Sequence, residues 1–142
     1  MSSILSIATS GMTAASTRLD VAASNIANSL TDGPLPTATP TTTGGANTPN
    51  PYTPLAFNQV DMTSGAQPSG TFGTVSPVSP SFVPAYDPTS SFANQSGFVA
   101  EPNVDLVNET MQLAISKYAF TANAKVAQTE AQMTKSLLDV LS

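Results

Sequence analysis

The last quarter of the chain restricts its fold more than any other stretch. From Val104 to Leu141 there are 38 residues without a glycine or a proline. A run of that length, with no turn-forming residue, reads as one long helix. Within it Val104, Val107, Met111, Ile115, Tyr118, Ala122, Val126, Thr129, Met133, Leu137 and Val140 follow one another at spacings of 3,4,4,3,4,4,3,4,4,3. That is an 11-residue repeat of about 3.67 residues per turn, which gives a nearly straight or slightly right-handed helix. Unbroken, it would be on the order of 57 Å long. Gly97 to Asn103 forms an extended lead-in, and Pro102 disfavours helix at Glu101. Asn103 is the expected N-cap, with Asp105 placed to favour the helix dipole.

A second helix is expected at the other end. Leu5, Ala8, Met12, Ala15, Leu19, Ala22 and Ile26 alternate in steps of 3 and 4, which is a heptad seam. Nearly half of its knobs are alanine, which bury little area but let backbones approach closely. The helix should stop between Asn28 and Gly33, where Asn, Ser, Asp and Gly accumulate. Met1 to Ser3 have nothing to hold them and are expected to be unordered. The same seam suits a core helix of a small bundle equally well. Yet a helix of only about 40 Å leaves part of the longer apolar stripe uncovered. Neighbouring molecules are then needed to cover it.

Between the helices the chemistry changes. Residues 31–96 hold 11 of the 12 prolines and no lysine or arginine. Pro34 to Pro51 has almost no anchoring side chain and reads as an exposed loop or disorder. Leu55 to Gln59, Thr71 to Val75 and Phe82-Val83 are strand-length pieces bounded by Pro, Gly or Ser. They suggest a small β-hairpin module of two or three strands, marginal alone and packed on the helices or a neighbour. The expected organisation is a helix over 1–30, a loop and β insert over 31–96, and a lead-in with a long helix over 97–142. The fold class is mainly α.

Composition removes whole classes of function. Charged residues make up 9% of the chain, against roughly 25% in soluble domains. So little charge fits a subunit whose surface is covered by others. The net charge is -5, and the four cations Arg18, Lys117, Lys125 and Lys135 do not cluster, so no nucleic-acid partner is expected. Without cysteine or histidine there is no thiolate, no disulfide and no common general base or metal ligand. No run approaches the ~20 apolar residues of a membrane span, and Met1 to Leu5 does not resemble a cleaved secretory signal.

Remaining candidates for chemistry have plainer explanations. Asp105 and Glu109 share a helix face, where capping and solubility explain them better than acid–base or metal chemistry. Ser116 and Lys117 are adjacent on the helix and point apart, so they make no dyad. Gly44-Gly45 has no phosphate-binding spacing. The sequons at Asn94 and Asn108 read as chance, and Tyr118 and Phe120 as core. No enzyme, cofactor, metal or small-molecule substrate is expected.

The stretch Leu19-Asp20-Val21-Ala22-Ala23-Ser24-Asn25-Ile26-Ala27-Asn28 resembles the N-terminal signature of bacterial flagellar rod and hook axial proteins. Pro102-Asn103-Val104-Asp105-Leu106-Val107, together with Phe120-Thr121-Ala122-Asn123, resembles the C-terminal signature of the proximal-rod type. The two matches cover about half the chain. The resemblance implies an axial subunit that is exported without a cleaved signal and resides in the basal body. Its terminal helices would form a coiled-coil-like tube across the periplasm. That tube would join the MS-ring and export gate to the distal rod and hook, and transmit torque. Copies of the chain and other rod subunits are the implied partners.

Seam and signature together nominate an assembly interface. On the first helix it comprises Leu5, Met12, Leu19, Val21, Asn25, Ile26 and Asn28. At the second it comprises Pro102, Asn103, Val104, Asp105, Val107, Met111, Ile115, Tyr118, Phe120, Asn123, Val126, Met133 and Leu137. The middle departs from the family pattern. Pro51-Tyr52 is followed by Thr53-Pro54 where the family has basic residues, and Phe120 stands where it has tyrosine. The competing reading is a secreted interaction protein, an export cap or adhesin, that shares these terminal helices.

Overall fold

The computed structural model describes residues 2–36, 50–65 and 67–141. Helix α1 spans Ser2–Ala27, strands β1 and β2 span Leu55–Ser64 and Gln67–Pro77, β3 and β4 span Phe82–Tyr86 and Phe98–Pro102, and α2 spans Leu106–Leu141. Ser2 and Ser3 therefore belong to α1, against the expectation of an unordered start. The Pro/Thr-rich segment falls largely at 37–49, outside the described residues, as does the Gly44-Gly45 pair.

Helix α2 is unbroken over 36 residues, about 54 Å. It begins later than the sequence suggests. Asp105, not Asn103, is the N-cap: its Oδ1 accepts the backbone N–H of Val107 at 3.0 Å and of Asn108 at 3.2 Å. Asn103 is occupied elsewhere, its N–H donating to Ser81 O at 3.0 Å and its Nδ2 to Pro80 O at 3.0 Å. Val104 consequently lies in the lead-in. Asp105→Ala is expected to cost about 1 kcal/mol by loss of the cap, read as a lower urea midpoint with unchanged slope.

The helices pack antiparallel, with Ile4 beside Val126 and Met133, and Gly11 against Asn123. Their contact is made by small side chains. Ala8, Ala14, Ala15 and Ala22 are buried along α1, and a Cβ on Gly11 would lie 2.7 Å from the Asn123 side chain. The alanine-rich seam thus brings the backbones close, as its composition suggests.

The opposing face of α2 differs from the expected one. Glu109, Gln112, Leu113, Ser116, Ala119, Asn123, Ala124, Ala127, Glu130 and Thr134 are the buried or half-buried positions. The apolar stripe sits roughly 100° further round the helix. There Val107, Met111, Ile115, Tyr118, Val126, Met133 and Leu137 are all exposed. Tyr118 and Phe120 are therefore not core residues of this chain. The periodicity marked an apolar face correctly, but it could not show which face meets α1.

The β insert consists of two separate antiparallel pairs, β1–β2 and β3–β4. In the first, Leu55 pairs with Pro77 and Ser64 with Gln67, with an irregularity at Met62/Thr63. In the second, Phe82 pairs with Pro102 and Tyr86 with Phe98. Phe98–Pro102, legible only as an extended lead-in, is thus a strand. Gly33 bridges to Ala100 on its other edge. The Asn94 side chain shapes the approach to β4, its Oδ1 accepting Ser96 N–H at 2.8 Å and Phe98 N–H at 3.0 Å.

The first hairpin packs along α1, mainly through β2, and specific polar contacts fix its position. Ser10 Oγ accepts the Thr71 N–H at 3.1 Å, and Arg18 Nη2 donates to Gln59 Oε1 at 3.0 Å. The Arg18 guanidinium also stands 4.8 Å from the Phe57 ring centroid, a cation–π distance. Gly70 meets Ser10 with φ +114, a conformation and proximity that a side chain would not permit.

Candidate assembly site

The signature residues of α1 build a clasp rather than an open surface. Asn25 is fully buried, at 0% exposure. Its Nδ2 donates to Leu55 O at 2.7 Å and to Glu109 Oε1 at 2.8 Å. Its Oδ1 accepts the Leu55 N–H at 3.0 Å and the Tyr52 hydroxyl at 3.1 Å. Both amide protons and both carbonyl lone pairs are used, so the buried amide is completely satisfied. With its proton given to Asn25, Tyr52 Oη accepts from Ser24 Oγ at 3.0 Å. One side chain thereby ties the end of α1, the start of β1 and the first turn of α2 together.

Neighbouring motif residues finish the helix. Asn28 Nδ2 donates to Ser24 O at 2.9 Å, and Ser29 Oγ to Ile26 O at 3.0 Å. Each is a second bond to a carbonyl that already accepts a backbone N–H, Asn28 N–H at Ser24 O and Ser29 N–H at Ile26 O, and so reinforces the last turn. Asp105 and Glu109 divide their work between capping α2 and receiving Asn25. Ser116 is buried and donates to Gln112 O at 2.7 Å, which leaves its hydroxyl proton engaged on its own helix.

The nominated interface residues separate into three groups. Val21, Asn25 and Pro102 are buried inside the chain. Met12, Ile26, Asn28, Asn103, Val104 and Asn123 are half-buried around the clasp and the helix contact. Leu5, Leu19, Asp105, Val107, Met111, Ile115, Tyr118, Phe120, Val126, Met133 and Leu137 are exposed. Sequence reasoning missed Tyr52, Ser10, Gly11 and Arg18. For Tyr52 a signal exists, a tyrosine held in Pro51-Tyr52-Thr53-Pro54. For the others none stands out.

Among the described residues, no group of three or more acidic, His or Cys side chains could hold a metal. Among them, no helix is long and apolar enough to cross a membrane.

A clasped pair of terminal helices with an apolar face turned outward is the form of a subunit built for assembly. Comparison with known proteins gives that class its place. The family described as "Flagella basal body rod protein" matches residues 5–34, and "Flagellar basal body rod FlgEFG protein C-terminal" matches residues 95–140. The chain is 34% identical over 138 residues to the flagellar basal-body rod protein FlgC of Escherichia coli, covering 94% of this chain and 93% of the relative. It is 33% identical over 138 residues to that of Salmonella typhimurium, with coverage of 94% and 93%. The Borreliella burgdorferi protein is 28% identical over 146 residues, with coverage of 98% and 96%. The chain belongs to the FlgC family of flagellar basal-body rod proteins, structural subunits of the basal body.

Proposed function

We propose that this chain is an axial subunit of the proximal rod, that it polymerises through α1 and α2, and that it has no catalytic activity. Copies of the chain and other rod subunits pack side by side, so that the helices form the wall of a coiled-coil-like tube. Through that wall the MS-ring and export gate connect to the distal rod and hook, and torque passes along the axis. The two halves of the wall are 1–30, with α1, and 97–142, the lead-in with α2, and residues 31–96 lie outside it.

One observation carries this reading. Eight large apolar side chains, from Val107 to Val140, share one exposed face of α2 in the isolated chain, while the face toward α1 is made mostly of small or polar side chains. A free protein does not hold so continuous an apolar face in water, and burying it against neighbours releases roughly 25 cal/mol per Å². The chain has no cysteine, so a single one introduced on the stripe reports cleanly. Leu137→Cys should react with maleimide in the free subunit and be protected at least tenfold in purified basal bodies. Equal labelling in both states would remove the stripe from the interface.

A further inference from the structure

Beside the clasp, a groove of about 460 Å³ opens between α1, the β1–β2 hairpin and α2. Gly11, Ala15, Met62 and Asn123 line it, together with Arg18 and Asp61. Since a cavity of about 150 Å³ holds a benzene ring, this groove has room for an aromatic side chain with its flanks. Arg18 is engaged with Gln59 and Phe57. Asp61 is exposed and has no ion-pair partner among the described residues.

We infer that this groove receives the Lys117-Tyr118 knob of a second copy of the chain. Tyr118 is 73% exposed, and the adjoining Lys117 is exposed without an ion-pair partner among the described residues. An apolar ring with a polar tip, beside a cation, complements an apolar groove where the Asp61 carboxylate is exposed and the Arg18 guanidinium is turned onto Gln59 and Phe57. The knob cannot fill the groove of its own chain. The groove is bounded by Ala119 and Asn123 of α2, and Lys117 and Tyr118 lie roughly 100–160° round that helix. Hole and knob on different sides of one subunit make a heterologous contact, which propagates from copy to copy instead of closing as a dimer. The inference rests on the proposed assembly and specifies its partner and polarity.

Charge reversal tests it. Asp61→Lys and Lys117→Asp each set like charges against one another, and each should lower the amount of chain in purified basal bodies roughly tenfold. The double variant restores the pair with inverted polarity and should recover most of that loss. Two single variants that assemble normally, or a double variant no better than either single, would overturn the contact. Helical circular dichroism of each free variant distinguishes lost contact from lost fold. A second measurement uses Asp61→Cys with Lys117→Cys: a short bismaleimide should give ladders of the chain from basal bodies carrying both cysteines. Monomer alone, in basal bodies that contain the chain, would overturn the contact and leave the rod reading intact.

Discussion

Asn25→Leu is expected to lower the stability of the free chain by about 4 kcal/mol, a large share of the 5–15 kcal/mol typical of a domain. Leucine matches the volume and none of the hydrogen bonding. It strands the N–H and C=O of Leu55, both of which meet Asn25 in the folded chain, while the Tyr52 hydroxyl keeps Ser24 as a partner. Each unpaired buried group costs about 1–3 kcal/mol. Glu109 loses its partner too, but it is half-buried and recovers water, so its share is small. The urea midpoint read by circular dichroism should fall steeply, with early loss of the contact between α1 and the start of β1. A shift below about 1 kcal/mol would show that the surrounding backbone finds other partners. Asn25→Asp separates shape from hydrogen bonding. The new carboxylate keeps the acceptor oxygens but faces Glu109 as a like charge. Its own pKa is then expected to be raised, so this variant should regain stability as the pH falls and lose it as the pH rises.

Much of this architecture can be read from residue order, and the parts that cannot share a cause. Both helices are local patterns. Alanine spacing gave the close-packed seam of α1, and the absence of Gly and Pro gave the continuity of α2. Tertiary relations are not local. The stripe from Met111 to Leu137 is the strongest apolar signal in the chain, yet within the subunit the weaker face through Gln112, Ser116 and Asn123 is the buried one. Periodicity marks where apolar groups lie, not what covers them. The N-cap shows the same limit. Asn103 and Asp105 are both good caps, and the choice falls to Asp105 because the β3 lead-in engages Asn103. Strand β4 carries little alternation, since Val99 and Ala100 are both buried. Asn25 was legible as a signature residue through family resemblance, but its role depends on Tyr52 and Glu109, 27 and 84 positions away.

Charges on the exposed stripe should separate folding from assembly more cleanly than charges on the seam. Ile115→Asp combined with Val126→Asp is expected to abolish rod assembly and swimming, while the free subunit melts within about 0.5 kcal/mol of the parent. The two effects diverge because both side chains are exposed in the isolated chain, at 40% and 46%. In the subunit the new carboxylates remain in water. In the packed wall they would be buried without partners, at several kcal/mol each. Repeated over every copy, that penalty exceeds what a ring of contacts can absorb. Leu19→Asp and Ile26→Asp should also stop assembly, but Ile26 is half-buried at the clasp, so that variant mixes lost folding with lost contact. The measurements are swimming in soft agar, electron microscopy of purified basal bodies and thermal melts of the free chain. Normal motility in the Ile115/Val126 double variant would mean that this face of α2 meets water in the rod as well.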